Sequence, residues 1–218
     1  MSQRFLLPLL LDILVIAFVL LFPHYSGLPM FVFPFIVLLV IALSLHASGQ
    51  PFSRTGFSFR TFGWRPFLIG GAIGLIYAVA DIFTLPYLFG LLGVPRANLA
   101  DFDFIRHNLV NFIFLMVIAW LVVIPFEEIA FRGFIFTKIR EWVPAGRWQF
   151  LISAILTSIL FALYHVQLGL AGVLNAFIFA LFISWLYKIF KGNLWYLIFF
   201  HAVYDTFVLN LIRMGHVI

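Results

Sequence analysis

Six ionisable side chains interrupt the apolar second half of the sequence, where hydrophobic runs would otherwise continue. They are Glu127, Glu128, Arg132, His165, His201 and Asp205. A charged side chain at the centre of a bilayer costs roughly 2.5–3.5 kcal/mol, so such groups usually face a protein interior or a water-filled cavity. Carboxylates and imidazoles that share one cavity can act as the acid and base groups that activate water. The sequence therefore predicts a buried polar site.

The spacing of the first three residues indicates how a helix would present them. Glu128 and Arg132 lie four residues apart with the acid first, which is the favourable order for a helical ion pair. Glu127 would point about 100° away from Glu128, because an α-helix has 3.6 residues per turn. It has no obvious local partner, and an unpaired carboxylate in an apolar site suits a general base.

The two histidines lie on later apolar runs. His201 and Asp205 are four residues apart, so their side chains can converge on one point. Phe161 precedes His165 by one turn on the same face. The chain midpoint between Glu127 and His165 falls in the short turn "VPAG", so two antiparallel neighbouring helices would hold these residues at similar depth.

Composition places these groups in a membrane protein. The 218 residues are 65% hydrophobic and 10% charged, and the mean hydropathy is +1.15. A soluble domain carries about 25% charged and about 45–50% apolar residues. The sequence contains no cysteine, which excludes disulfides and thiolate chemistry.

Apolar runs long enough to span a bilayer, which takes about 20 residues, predict an all-α, polytopic transmembrane bundle of about seven spans, or eight. The predicted spans cover residues 5–22, 28–45, 67–89, 109–136, 148–166, 168–187 and 194–212. The fourth run is too long for one perpendicular crossing, so it must tilt, project beyond the surface or break near Pro125. Residues 1–218 are expected to form a single transmembrane domain, with the chemical groups in the half from about 109 to 211.

Basic residues alternate between the predicted loops, and this bias sets the orientation of a membrane protein. One set of loops carries nine: Arg4, Arg54, Arg60, Arg65, Lys138, Arg140, Arg147, Lys188 and Lys191. The opposite set carries three: Arg96, Arg106 and Arg213. The sequence thus predicts a cytoplasmic N-terminus and an external C-terminus. Residues 51–66 mix arginines with aromatic residues, which favours an interfacial loop over a nucleic-acid site.

Three short motifs resemble those of the CAAX prenyl protease and bacteriocin-processing group of intramembrane proteases, known as CPBP or Abi proteins. "EEIAFR" is similar to their EExxxR motif, "FALYH" to FxxxH, and "HAVYD" to HxxxN/D. The motifs occur in the family's order, and the resemblance covers roughly residues 109–211. It implies hydrolysis of a peptide bond in or at the membrane, in a membrane-associated or lipidated substrate.

The resemblance also implies roles for individual residues. Glu127 and His165 would activate the attacking water, and His201 and Asp205 would stabilise the oxyanion or hold that water. Glu128, Arg132 and Phe161 would support the site. Asp205 stands where the family often has asparagine, and an ionised carboxylate donates no hydrogen bond. This substitution favours holding water or metal over forming an oxyanion hole.

Two cofactor hypotheses are consistent with these residues. Glu127, His165, His201 and Asp205 could bind a divalent metal such as zinc, which takes three protein ligands and a water at catalytic sites. A mechanism without a cofactor needs only a base and an oxyanion donor. We favour the second, because metal binding would occupy Glu127 and leave no clear base.

Two other functions are compatible with the same residues. Buried acid and histidine chains also occur in transporters and proton relays, although the sequence shows no inverted repeat. A catalytically idle CPBP-like scaffold or immunity protein is the other alternative. Asp12 and Asp81 could pair with Arg132 or line the cavity, but we favour a structural role for both. Asn175 and Asn210 are expected to bond between helices, and His24 is assigned no function.

The sequence therefore predicts an integral membrane protease, in a prokaryotic cytoplasmic membrane, whose partners are lipid and a peptide or lipidated protein. No nucleic acid is expected, and the sequence specifies no oligomeric state.

Overall fold

The computed structural model describes the backbone of residues 3–216 and the side chains of residues 8–216. This part of the chain is helical and contains no β-strand. Its seven main helices are α1 (Gln3–Tyr25), α2 (Phe33–Ala47), α3 (Trp64–Leu91), α4 (Leu109–Trp142), α5 (Gln149–Tyr164), α6 (Gly169–Ile189) and α7 (Leu194–Arg213). Short 3₁₀ turns lie in the connections 51–63, 99–106 and 165–169.

Five of the helices, α1, α3, α4, α6 and α7, are long and apolar enough to cross a membrane, and α2 and α5 are shorter apolar helices. Large apolar side chains cover the outside of the bundle, among them Leu14, Phe83 and Leu121, which are each more than 60% exposed. An outward apolar surface of this kind is stable only in lipid. The chain is an integral membrane protein, and the predicted polytopic helical bundle is confirmed.

A break near Pro125 was one of the outcomes considered from the sequence. In the structure, helix α4 neither ends nor breaks at this residue. It continues for 34 residues and instead widens on both sides of the proline. A π-helical segment covers Ala119–Val123, in which the Ile124 N–H bonds to the carbonyl five residues back. A second covers Glu128–Ile135. Because proline has no N–H and its ring crowds the preceding turn, a π-bulge lets the helix continue past it.

Helices α3 and α7 pack backbone to backbone at the glycines of α3. A Cβ atom on Gly70 would lie 2.4 Å from the Tyr196 carbonyl oxygen, and one on Gly74 would lie 2.3 Å from that of Phe200. These distances are too short for any larger residue. Small residues permit such close approach in membranes, where van der Waals packing drives association. The contact fixes α7 just before His201.

The connection 51–63 covers the end of the bundle where α4 and α6 finish and α7 begins. A Cβ atom on Gly133 of α4 would lie 2.6 Å from the Thr55 carbonyl oxygen. The Trp195 indole donates to the Ser58 carbonyl at 2.8 Å. The connection is thus packed against α4 and α7, so that it supports the helices carrying the ionisable groups.

One predicted loop residue lies inside the bundle. Lys138 belongs to α4, is only 3% exposed, and its Nζ lies 3.0 Å from Asp12 Oδ1 in α1. The prediction that Lys138 follows a span was wrong, because α4 continues beyond the membrane-length run. Asp12 pairs with Lys138 and not with Arg132, which accords with the structural role favoured for it.

Candidate active site

Two adjacent glutamates contact opposite edges of one imidazole ring. Glu128 Oε1 lies 2.8 Å from His201 Nδ1, within hydrogen-bond distance. Glu127 Oε2 lies 3.8 Å from Nε2 of the same ring. All three side chains are buried. The arrangement joins α4 to α7 through ionisable groups and leaves one ring nitrogen facing the Glu127 carboxylate.

Glu127 and Glu128 lie where the second π-helical segment of α4 begins. The sequence predicted that Glu127 and Glu128 would point about 100° apart, as on a regular α-helix. In the structure Glu127 is the last residue before the wide segment and Glu128 is the first within it. Every residue from Glu128 to Ile135 is buried. π-bulges change the direction of side chains locally and are frequent at functional sites.

The predicted ion pair between Glu128 and Arg132 is present. Arg132 Nη1 lies 3.4 Å from Glu128 Oε1, and both side chains are fully buried. The same oxygen makes the shorter contact with His201, so Glu128 serves both groups. The guanidinium carbon also lies 4.3 Å from the centre of the Phe161 ring, close enough for a cation–π interaction. The phenylalanine of "FALYH" thus packs against the arginine of "EEIAFR".

Asp205 approaches the same histidine from its own helix. Its Oδ2 lies 3.5 Å from His201 Nε2, so the convergence predicted from their four-residue spacing is observed. His201 Nε2 therefore faces two carboxylates, those of Glu127 and Asp205. Just beyond, the Trp120 indole of α4 donates to the Thr206 hydroxyl of α7 at 2.9 Å, which ties the two helices together beside the site.

His165 directly follows the last residue of α5 and lies apart from the other ionisable groups. Its Nδ1 lies 2.9 Å from the Phe161 carbonyl oxygen, and because a carbonyl only accepts, Nδ1 carries the proton in this bond. Nε2 is then the acceptor nitrogen. His165 makes no contact within 4 Å with a described carboxylate. It shares a cavity with Glu127 and His201 without touching either.

That cavity has a volume of about 720 Å³, within the range of small-molecule sites. It lies at the end of the bundle where α1 and α3 finish and α4 begins, and it reaches the exposed loop residues Arg96 and Asp101. Its walls are mainly apolar. The ionisable residues predicted from the sequence that line it are Glu127, His165, His201 and Asp205, whereas Glu128 and Arg132 lie behind them.

Further cavity residues were missed or undervalued in the sequence. His24 lines the cavity and packs on Tyr164, with ring centres 5.3 Å apart; its position after Pro23 at the end of a span gave no signal of this. Asp81 lines it too. Asn175 bonds between helices, as predicted. Asn210 does not, because it accepts from Arg213 within α7.

The side chains do not match the metal hypothesis. Among residues 8–216, no group of three or more histidine, aspartate or glutamate side chains is arranged to hold one metal ion. Nδ1 of His201 is already bonded to Glu128, and His165 stands away from the carboxylates. We therefore derive no step through a metal.

A comparison with protein-family models matches residues 109–207 to the family described as Type II CAAX prenyl endopeptidase Rce1-like. The segment contains all three motifs and the cavity residues Glu127, His165, His201 and Asp205, so the resemblance to CPBP-type CAAX proteases is confirmed there. The match supports a protease role in general terms. No curated protein and no solved structure gave a significant match to the chain.

Proposed function

We propose that this protein is an intramembrane endopeptidase that hydrolyses a peptide bond of a membrane-associated or lipidated substrate. One observation carries the proposal: the carboxylates of Glu127 and Asp205 both lie within 4 Å of His201 Nε2 at the wall of a largely apolar cavity. Buried acid groups that open into a cavity within a membrane are costly to maintain, and their types are those that activate water.

Glu127 is the proposed general base, and His165 helps to hold the attacking water. His165 and Glu127 both line the cavity, and Nε2 is the acceptor nitrogen of His165, which supports a water shared between the two residues as the nucleophile. As the water oxygen attacks the carbonyl carbon of the peptide, Glu127 takes the proton that is released. The same carboxyl group then returns this proton to the amine as the carbon–nitrogen bond breaks.

His201 is the proposed donor to the oxyanion, with Asp205 beside it. Its Nδ1 is held by Glu128, which leaves an Nε2–H free to bond to the negative oxygen that forms in the tetrahedral intermediate. Preorganised donors of this kind stabilise developing charge strongly in a site of low dielectric constant. The carboxylates of Glu127, Glu128 and Asp205 balance the charge of a doubly protonated ring. This contact pattern supports donation by the histidine, and in this proposal Asp205 does not act as a donor.

Glu128 and Arg132 are proposed to position these groups without touching the substrate. The Glu128 oxygen fixes the orientation of the His201 ring, and Arg132 compensates the buried carboxylate. Phe161 packs against the other face of the guanidinium. A misplacement of about 1 Å at a reacting group costs roughly a hundredfold in rate, so this support matters.

The whole chain is proposed to act as one domain, because the first half contributes to the cavity. His24, Phe33 and Asp81 all line it, although they precede the matched segment. With the N-terminus in the cytoplasm of a prokaryotic cell, the cavity would open toward the external face, since it lies where α1 and α3 end.

The proposal can be tested with purified protein in lipid vesicles. The substrate is a membrane peptide with a fluorophore on one side of its centre and a quencher on the other, so that cleavage increases the fluorescence. Cleavage by the wild type, and its loss in both Glu127→Ala and His165→Ala with unchanged thermal stability, would support it. Cleavage that persists in both variants would refute the assigned site. Ion flux across the vesicles without cleavage would favour a transporter, and neither activity would favour the idle scaffold.

A further inference from the structure

A second polar cluster lies in the same cavity, outside the groups proposed to act on water. It consists of Asp81 of α3, Asn175 of α6 and Tyr204 of α7. The Tyr204 hydroxyl donates to Asp81 Oδ2 at 2.8 Å, and the Asn175 amide donates to the same oxygen at 3.0 Å. All three residues line the cavity, and Asp81 is only 7% exposed.

The hydrogen bonds within this cluster leave acceptors unused. A carboxylate has about four lone-pair sites, and both good donors bond to Oδ2 of Asp81. Its Oδ1 has only the longer contact with the Asn175 amide at 3.3 Å. The Tyr204 hydroxyl has a single proton and donates it to Asp81. The hydroxyl oxygen also lies 3.3 Å from Asn175 Oδ1, but it has no second proton to donate there. Asn175 Oδ1 therefore has no donor. Two acceptor oxygens are therefore available beside the cavity.

The cluster also lacks a positive charge. The other buried acids of the described chain each have a basic partner: Asp12 has Lys138, Glu128 has Arg132, and Glu127 has His201. No lysine, arginine or histidine nitrogen among residues 8–216 lies within 4 Å of the Asp81 carboxylate. Buried carboxylates are normally paired with a cation.

The cluster lies next to the proposed reacting groups. Tyr204 follows His201 by three residues, which places it on the neighbouring turn of α7. The ring of Phe179 touches both, with centres 4.8 Å from those of His201 and Tyr204. A substrate strand advances about 3.3 Å per residue. A side chain bound by Asp81 would thus belong to a residue about one to three positions from the cleaved bond.

We propose that Asp81, Asn175 and Tyr204 form a specificity subsite for a lysine or arginine side chain of the peptide substrate. The substrate cation supplies the missing positive charge and donates to Asp81 Oδ1 and Asn175 Oδ1, while its methylene stem lies along the apolar wall. This inference rests on the proposed protease function. It adds a selectivity that depends on a residue outside the segment 109–207.

Matched peptides test the subsite. The probes are palmitoylated peptides with a fluorophore and a quencher, which carry lysine, norleucine or glutamate at one position within three residues of the cleaved bond. Wild-type protein should cleave the best lysine peptide with a kcat/KM about tenfold or more above that of its norleucine counterpart, as expected for a hydrogen bond to a charged group. Asp81→Asn should abolish the preference mainly through KM.

A control variant separates recognition from a general loss of negative charge. Glu141→Gln neutralises a surface acid of α4 that pairs with Arg54 away from the cavity, and it should leave the lysine preference unchanged. Equal loss of activity on lysine and norleucine peptides in Asp81→Asn would show that the cluster only joins the helices, and would overturn the proposal.

Binding distinguishes a failure of the subsite from a failure of the protease hypothesis. If the wild type cleaves none of the peptides, the proposed function fails. The same labelled peptides can then be titrated against vesicles containing wild-type protein or Asp81→Asn. Tighter binding of the lysine peptide that depends on Asp81 supports the subsite, and equal binding of the lysine and norleucine peptides refutes it.

Discussion

Glu128 and His201 are 73 residues apart in the chain, yet Glu128 Oε1 and His201 Nδ1 lie 2.8 Å apart between α4 and α7. The contact is fully buried and shares its oxygen with Arg132. A single carboxylate thus connects the first and third motifs and compensates a buried cation. This relationship makes the stability of the bundle and the geometry of the cavity depend on the same residue.

Glu128→Gln should destabilise the protein strongly. The amide keeps the shape of the side chain but leaves the Arg132 guanidinium buried without a counter-charge, and breaking a buried pair costs about 3–5 kcal/mol. Denaturant or thermal unfolding in detergent measures the change. Glu141→Gln is the matched control, because Glu141 pairs with Arg54 at the surface and such pairs contribute about 0–1 kcal/mol. Equal effects of the two substitutions would contradict the assignment.

Glu127→Gln should reduce peptide hydrolysis by about 10²–10⁴-fold, the usual contribution of a general base. The loss should appear in kcat, since the substitution keeps the size of the side chain, and the thermal unfolding temperature should change little. Steady-state kinetics with the quenched peptide give both constants. Wild-type kcat in this variant would show that another group takes the proton from water.

Gly74→Ala should lower both stability and activity. The added methyl would lie 2.3 Å from the Phe200 carbonyl oxygen, so α3 and α7 must separate and His201 must move. Overpacking of this kind costs about 1–3 kcal/mol. Gly90→Ala is the control in the same helix. A Cβ atom at Gly90 has no neighbouring atom within 4 Å, so this substitution should be tolerated. Thermal unfolding and cleavage rate should therefore differ between the two variants.

Lys138 and Asp12 should show strong coupling in a double-mutant cycle. Lys138→Met or Asp12→Leu alone leaves one buried charge unpaired, which costs about 3–5 kcal/mol, whereas replacing both by apolar residues is often neutral. Unfolding of the four proteins gives the interaction energy. Additive effects would show that the pair at 3.0 Å contributes nothing to stability.

Single cysteines can test the proposed orientation, because the chain contains none of its own. A membrane-impermeant maleimide applied to intact cells should label Ala100→Cys, near the mouth of the cavity, and should not label Ser48→Cys after α2. Both positions are exposed. Labelling after permeabilisation controls for reactivity, and the reverse pattern in intact cells would invert the proposed topology.

Local patterns explain why much of this molecule was predictable. Hydrophobic run length identifies membrane helices because a bilayer has a fixed thickness, so the polytopic bundle followed from the sequence. The Glu128–Arg132 pair and the approach of His201 to Asp205 follow from four-residue spacing within one helix. Each of these predictions needs only neighbours along the chain.

Contacts between helices could not be predicted in this way. Whether Lys138 ended in a loop or against Asp12 depended on where α4 stops and which helix lies beside it. Asp81, Asn175 and Tyr204 meet only because α3, α6 and α7 share one cavity. Glu127 Oε2 lies 3.8 Å from His201 Nε2, whereas His165 lies more than 4 Å from every described carboxylate, and this difference depends on how α4, α5 and α7 pack.

The sequence by itself determined that this is a helical membrane protein with protease-type motifs in its second half. Tertiary structure alone decided that Glu127 and Glu128 reach two edges of the same imidazole. The physical reason is that α7 packs against α4 and brings His201 to both carboxylates, with 73 residues of chain between Glu128 and His201. Helical spacing within one element does not contain a contact of that kind.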